Sequence, residues 1–151
     1  DDSDTAVLNA SFIQEQLKVS LGIDLKIESM PFKSRLDRMS NKDFSIVFAG
    51  WGPDYNDPMT FLDMFETGNG NNHTSYTSAA YDALLTKVRT ELDPTIRMGY
   101  LMDLEKLLME DLPIGPVYWR SKDYIMSGKI ASGVVRTAFQ DMNFKNVKLA
   151  K

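Results

Sequence analysis

Apolar residues Ala6, Ala10, Ile13, Leu17 and Leu21 recur at helical spacing behind the acidic cap Asp1-Asp2-Ser3-Asp4, and Gly22 follows as a left-handed C-terminal cap. This pattern predicts an opening helix. Ile23, Leu25 and Ile27 then alternate with Asp24, Lys26 and Glu28, which predicts a strand with one buried face. Pro31 suits the first turn of a short helix carrying Leu36 and Met39, and the polar stretch 40–43 ends it. Residues 44–50 form a nearly continuous apolar run, as expected of a strand covered on both faces in a parallel sheet. A strand, helix, strand unit crosses over right-handedly and makes its strands parallel, so 51–58 should leave the carboxyl end of a central strand. In open α/β sheets that is where ligands sit.

Pro58 can start a helix reaching Phe65, and 67–75, rich in Gly and Asn, reads as a surface loop. Tyr81, Leu84, Leu85 and Val88 share one face of a helix ending near Leu92. Asp93-Pro94 is an N-cap and first-turn pair for the next helix, which holds Tyr100, Leu101, Leu104, Leu107 and Leu108. These two helices should pack as an antiparallel hairpin on the sheet. Further strands are expected at 114–119 and 123–126, and 144–149 alternates like an edge strand. The whole reads as one α/β domain, a mixed, mostly parallel sheet flanked by helices.

The chain has 151 residues, 43% hydrophobic and 25% charged, enough for one sizeable core. A formal net charge of −4 leaves no basic footprint for nucleic acid or an anionic membrane. No cysteine is present, so disulfides and thiolate metal sites are excluded, and the lone His73 cannot build a histidine zinc site. No apolar run approaches the roughly 20 residues that span a bilayer, and no secretion signal opens the chain. An α/β unit normally begins with a strand, so the helical opening is read as a piece of something longer, with a natural helical start as the alternative.

The densest chemical signal is Ala49-Gly50-Trp51-Gly52-Pro53-Asp54-Tyr55-Asn56-Asp57-Pro58. Its glycines and prolines fix an irregular backbone that presents a tryptophan and two carboxylates. A carboxylate held there can accept charge-assisted hydrogen bonds from an ammonium. The alternative is a structural loop in which Asp54 or Asp57 caps the following helix; for Asp57, directly before Pro58, capping is the stronger reading.

The stretch 44–58, Phe-Ser-Ile-Val-Phe-Ala-Gly-Trp-Gly-Pro-Asp-Tyr-Asn-Asp-Pro, closely resembles the signature of the oligopeptide- and dipeptide-binding proteins of ABC importers. The resemblance extends back through Gly22-Ile23-Asp24-Leu25 and Ile13-Gln14-Glu15-Gln16-Leu17, and forward through 76–85 and 112–118, covering almost the whole chain. It implies a periplasmic-binding-protein-like fold in which this chain supplies the C-terminal lobe and a peptide is held between it and an N-terminal lobe. It further implies delivery to ABC permease subunits, no catalysis, no cofactor and no metal. The implied location is extracellular, at the bacterial cell surface or in the periplasm, with lipid anchoring through an upstream segment. By the same resemblance Asp54 anchors the peptide α-ammonium and Trp51 lines a side-chain pocket, with Gly52 and Tyr55 beside them in the ligand-binding stretch. Two positions depart from the pattern. Phe48 stands where some members carry a basic residue facing a peptide carboxylate, and Gly52 stands where some relatives have a larger residue.

Other signals are weaker. Asp54, Asn56 and Asp57 suggest a calcium loop, but Pro58 occupies the third ligand position. Gly68-Asn69-Gly70 lacks the lysine of a phosphate loop. Asn9-Ala10-Ser11 and Asn72-His73-Thr74 match glycosylation acceptors, the first inside a helix. Met98, Met102 and Met109 read as core packing, while Tyr118, Trp119 and Tyr124 are either core or cavity aromatics. Competing functions are a lobe for another solute (sugar, nickel complex or haem), a hydrolase using Asp54 and Asp57 as an acid and base pair, and a protein-interaction domain.

Overall fold

A computed structural model describes residues 2–137, 139 and 141–150. The chain divides into two compact units, Asp1–Gly50 and Trp51–Lys151.

In the first unit, helix α1 spans Asp4–Leu21. Ser3 caps its start by accepting from the Ala6 N–H. At its end Gly22 adopts φ 68°, and the N–H groups of Gly22 and Ile23 donate back to the carbonyls of Lys18 and Leu17. That conformation strains any residue with a Cβ, which is why the helix ends at the glycine. The Gln14 side-chain amide then donates to the Leu25 carbonyl at 2.6 Å, drawing the next segment back along the helix. Helix α2, Phe32–Ser40, follows Pro31. Its arginines serve both flanking segments: Arg38 pairs with Glu28 at 2.7 Å and Asp43 at 3.1 Å, and Arg35 donates to the Phe48 carbonyl at 3.3 Å.

The expected strands at 23–27 and 44–50 are not formed among the described residues. The alternation holds in part: Leu25 and Ile27 are half-buried and Asp24, Lys26 and Glu28 exposed, but Ile23 is exposed as well. A strand also needs a neighbour to close its ladder, and none is hydrogen-bonded to either run here. Ile46 accordingly stays 67% exposed where a two-sided cover was expected.

The second unit holds the core. Helix α3, Met59–Leu62, runs into a 3-10 turn at Asp63–Phe65. Helix α4 is Ala79–Thr90, capped by the Ser78 hydroxyl, and α5 is Pro94–Asp111, capped by the Asp93 carboxylate, which accepts from Thr95 and Ile96. Tyr76 donates to Asp111 at 2.6 Å at one end of the pair and Arg97 donates to the Val88 carbonyl at the other, so α4 and α5 are antiparallel, as expected. Among the described residues this hairpin packs on α3 and the 3-10 turn, and no sheet lies in its core. Met59, Leu62 and Phe65 close the core against Tyr81, Leu85, Val88, Leu101, Leu104 and Leu108. The Tyr81 hydroxyl donates to the Leu62 carbonyl at 2.8 Å, so the ring is buried without an orphaned polar atom. Met109 packs on this core, but Met98 and Met102 are exposed, so core packing accounts for only one of the three.

The loop 67–75 is more structured than its composition implied. Asn72 is only 5% exposed. Its amide donates to the carbonyls of Phe65, Glu66 and Tyr76, and its oxygen accepts from the Tyr76 N–H and the Thr74 hydroxyl. This engaged nitrogen is not available as a glycosylation acceptor in the folded chain.

Beyond α5 the expected strands at 114–119 and 123–126 form no ladder. Two small antiparallel pairs appear instead: β1 (Ile130–Ser132) with β4 (Lys148–Leu149), and β2 (Val135–Arg136) with β3 (Met142–Asn143). Only the end of the expected edge strand at 144–149 is paired. The Asn143 side chain accepts from the Lys145 N–H, and the Val147 N–H donates to the Phe144 carbonyl, turning the chain where alternation alone read as extended. Gly133, at φ 88°, lets the two pairs meet: a Cβ there would lie 1.8 Å from the Asn146 carbonyl oxygen.

Candidate functional site

The stretch 51–58 is exposed except at Asp57, and its two carboxylates differ in whether they are already engaged. Asp57 is engaged. Its Oδ1 accepts from the Met59 N–H at 2.9 Å and from Arg97 at 3.0 Å, while Oδ2 accepts from the other Arg97 nitrogen at 2.7 Å. The Arg97 guanidinium first, and the Met59 N–H beside it, hold this carboxyl below its ordinary range. Asp57 therefore caps the start of α3, with Pro58 between it and the first helical residue, and the capping reading of this residue is the correct one.

Tyr55 is engaged as well. Its hydroxyl donates to Asp63 Oδ2 at 3.0 Å. Partial burial first, then that hydrogen bond and the charges of Asp63, Asp57 and Asp54, push the phenol up to about 12.

Asp54 differs. Its backbone N–H donates to Thr60 Oγ1 at 2.9 Å, but among the described residues its exposed carboxylate has no hydrogen bond or ion pair. Trp51 is 39% exposed, and a Cβ built on Gly52 would meet nothing within 4 Å. A larger residue thus fits at position 52, and the glycine leaves that space open. The four residues singled out from the sequence, Trp51, Gly52, Asp54 and Tyr55, therefore lie on one short exposed segment.

Three contributors were not read from the sequence: Thr60, Asp63 and Arg97. Arg97 carried one faint signal, since a cation in the first turn of a helix opposes the helix dipole and implies a nearby anion. Thr60 and Asp63 carried none, because their roles depend on how the loop folds onto α3. The aromatics beyond α5 are not core. Tyr118 and Tyr124 are exposed and Trp119 is 84% exposed, touching Phe61 edge-on with ring centroids 5.8 Å apart. Among the described residues no group of three or more His, Asp or Glu side chains is arranged to hold a metal, and no helix is long and apolar enough to cross a membrane.

Comparison with known proteins is consistent along the chain. Residues 1–73 match the model of the bacterial extracellular solute-binding proteins, family 5 Middle. The dipeptide-binding protein DppE of Bacillus subtilis is 34% identical over 84% of this chain and 23% of its own length. Among solved structures, Listeria monocytogenes OppA bound to peptide superposes with TM-score 0.80 at 36% identity, covering 100% of this chain and 29% of that one. An oligopeptide ABC transporter substrate-binding domain from Bacillus anthracis gives TM-score 0.84 at 31% identity over 99% of this chain and 30% of that one. The chain thus spans about a quarter of the length of the curated relatives it matches. Through residues 1–73 the chain belongs to the bacterial extracellular solute-binding proteins of family 5.

Proposed function

We propose that this chain forms the C-terminal lobe of a two-lobed protein that captures peptides outside the cytoplasm and delivers them to the permease of an ABC importer. The observation that carries the reading is the Asp54 carboxylate, exposed and uncommitted among the described residues, while Asp57 and Tyr55 beside it are held by Arg97 and Asp63. A peptide α-ammonium at Asp54 gains charge-assisted hydrogen bonds worth about 1.5 to 3 kcal/mol each. Trp51 and the open space at Gly52 would receive a neighbouring side chain, and Tyr55 would border the same site. The peptide-bound state of the Listeria relative, similar along this whole chain, supports a peptide as the ligand class.

In this reading residues 1–151 are one lobe, and the extended runs 23–27 and 44–50 take their places in a mostly parallel sheet completed by the rest of the protein. Hinge closure holds the ligand against the N-terminal lobe. Backbone pairing of an extended peptide supplies affinity that is independent of its sequence. Catalysis forms no part of the role. The protein works at the cell surface or in the periplasm, and a lipid anchor outside this chain is part of the proposal.

Calorimetric titration of the full-length protein tests this, using short peptides with free and with acetylated N-termini. Acetylation is expected to weaken binding at least tenfold, about 1.4 kcal/mol, and Asp54→Asn should abolish that difference. Equal binding of the two forms removes the ammonium anchor. Binding of neither removes the peptide reading and points to sugars or metal complexes.

A further inference from the structure

We propose that Thr60 is a positioning residue for the Asp54 carboxylate, a role that rests on the ammonium-anchor reading above. Thr60 is 2% exposed, although it lies six residues from the exposed Asp54. Its Oγ1 accepts the Asp54 N–H at 2.9 Å, and its own N–H donates to the Asp57 carbonyl at 3.1 Å. Both ends of the segment 54–57 are therefore tied to a single residue.

That residue is itself immobilised. Its neighbours Met59 and Leu62 are buried in the core, and the Leu62 carbonyl accepts the Tyr81 hydroxyl at 2.8 Å. The first contact fixes the peptide plane that carries the Asp54 nitrogen and the second holds the Asp57 carbonyl, so the backbone between them, from which the Asp54 carboxylate leaves, has little room to move. An exposed aspartate with no side-chain partner would otherwise sample several orientations, and a ligand would have to order it on binding. The Thr60 hydroxyl makes the backbone share of that ordering part of the folded state. Serine keeps the acceptor; valine keeps the shape and removes it.

The test titrates full-length wild type, Thr60→Val and Thr60→Ser with free and N-acetylated short peptides. Wild type is expected to prefer the free amine at least tenfold; Thr60→Val should shrink the preference to about threefold or less by weakening the free form alone. Thr60→Ser should restore it. Equal weakening of both forms in Thr60→Val, or an undiminished preference, overturns the positioning role in favour of space-filling. Absence of any preference in wild type instead overturns the anchor reading and this inference with it. If Thr60→Val fails to fold, hydrogen exchange of the wild-type Asp54 amide decides. Slowing of about tenfold or more relative to an unstructured chain is expected, and unprotected exchange overturns the proposal.

Discussion

Arg97 and Asp57 stand forty positions apart and meet as a bidentate pair, with N···O distances of 2.7 and 3.0 Å. The same guanidinium reaches the Val88 carbonyl at 3.2 Å, so one side chain joins the loop at 51–58 to the end of α4 and the start of α5. Arg97→Met should cost about 1.5 to 3 kcal/mol, the range for hydrogen bonds to charged groups. Arg97→Lys should recover only part of it, since an ammonium cannot reproduce the fork. Urea unfolding midpoints check this, and an unchanged midpoint in Arg97→Met would remove the pair as a structural tie.

The pair also sets a pH dependence. The Asp57 carboxyl is lowered in the folded state, so its contribution to stability is present above the unfolded value near 3.8 and is lost as pH falls through the folded one. Glu66, lowered by Arg89, acts in the same direction. The informative quantity is therefore the difference between wild type and Asp57→Asn. That difference should shrink as unfolding is followed from about pH 6 to pH 2, and a difference constant across the range contradicts the assignment.

Tyr55 responds at the opposite end of the scale. Its phenol is raised from 10.0 to about 12, so its contribution is complete below pH 10.0 and is lost as pH rises through about 12. Ultraviolet titration of wild type minus Tyr55→Phe should show a late ionisation step. Asp63→Asn should move the step only part of the way back, because burial is the larger cause. A step at the ordinary tyrosine value would show that neither influence acts.

Asn72 is the polar keystone of the loop 67–75. Asn72→Asp keeps the acceptor and withdraws the donors from three carbonyls, and should cost about 1 to 3 kcal/mol by leaving buried groups unsatisfied. Thermal unfolding compares it with Asn71→Asp, at an exposed neighbouring position, which should be close to neutral.

Gly133→Ala should destabilise the pairing of β1 with β4. The added methyl would overlap the Asn146 carbonyl oxygen, and φ 88° disfavours any Cβ. Loss of amide protection at Ala150, whose N–H donates across the pair to the Lys129 carbonyl, with the α4–α5 core unaffected, is the expected exchange pattern. Unchanged protection would mean that the backbone shifts at little cost.

The long helices were legible because a periodic face met a chemical stop, as with Ser3 and Gly22 around α1 and Asp93-Pro94 before α5. The strands were not, because alternation specifies which side of a segment is apolar and says nothing about the neighbour that closes its ladder. Leu25 and Ile27 kept their sidedness without pairing, while the short strands Val135–Arg136 and Met142–Asn143 paired without a pattern long enough to detect. In the loop, Asp57 was correctly assigned to capping by its place before Pro58. Arg97 escaped notice because its place in the first turn of α5 implies an anion without saying that the anion lies forty residues away.

The core residues of the second unit, from Met59 to Leu108, come from one uninterrupted stretch of chain. Their contacts close small loops, which favours rapid folding. During synthesis this helical nucleus can collapse once Leu108 has left the ribosome, before the β1 to β4 tail exists. The site-bearing loop immediately upstream is then already tethered to a formed core through Thr60.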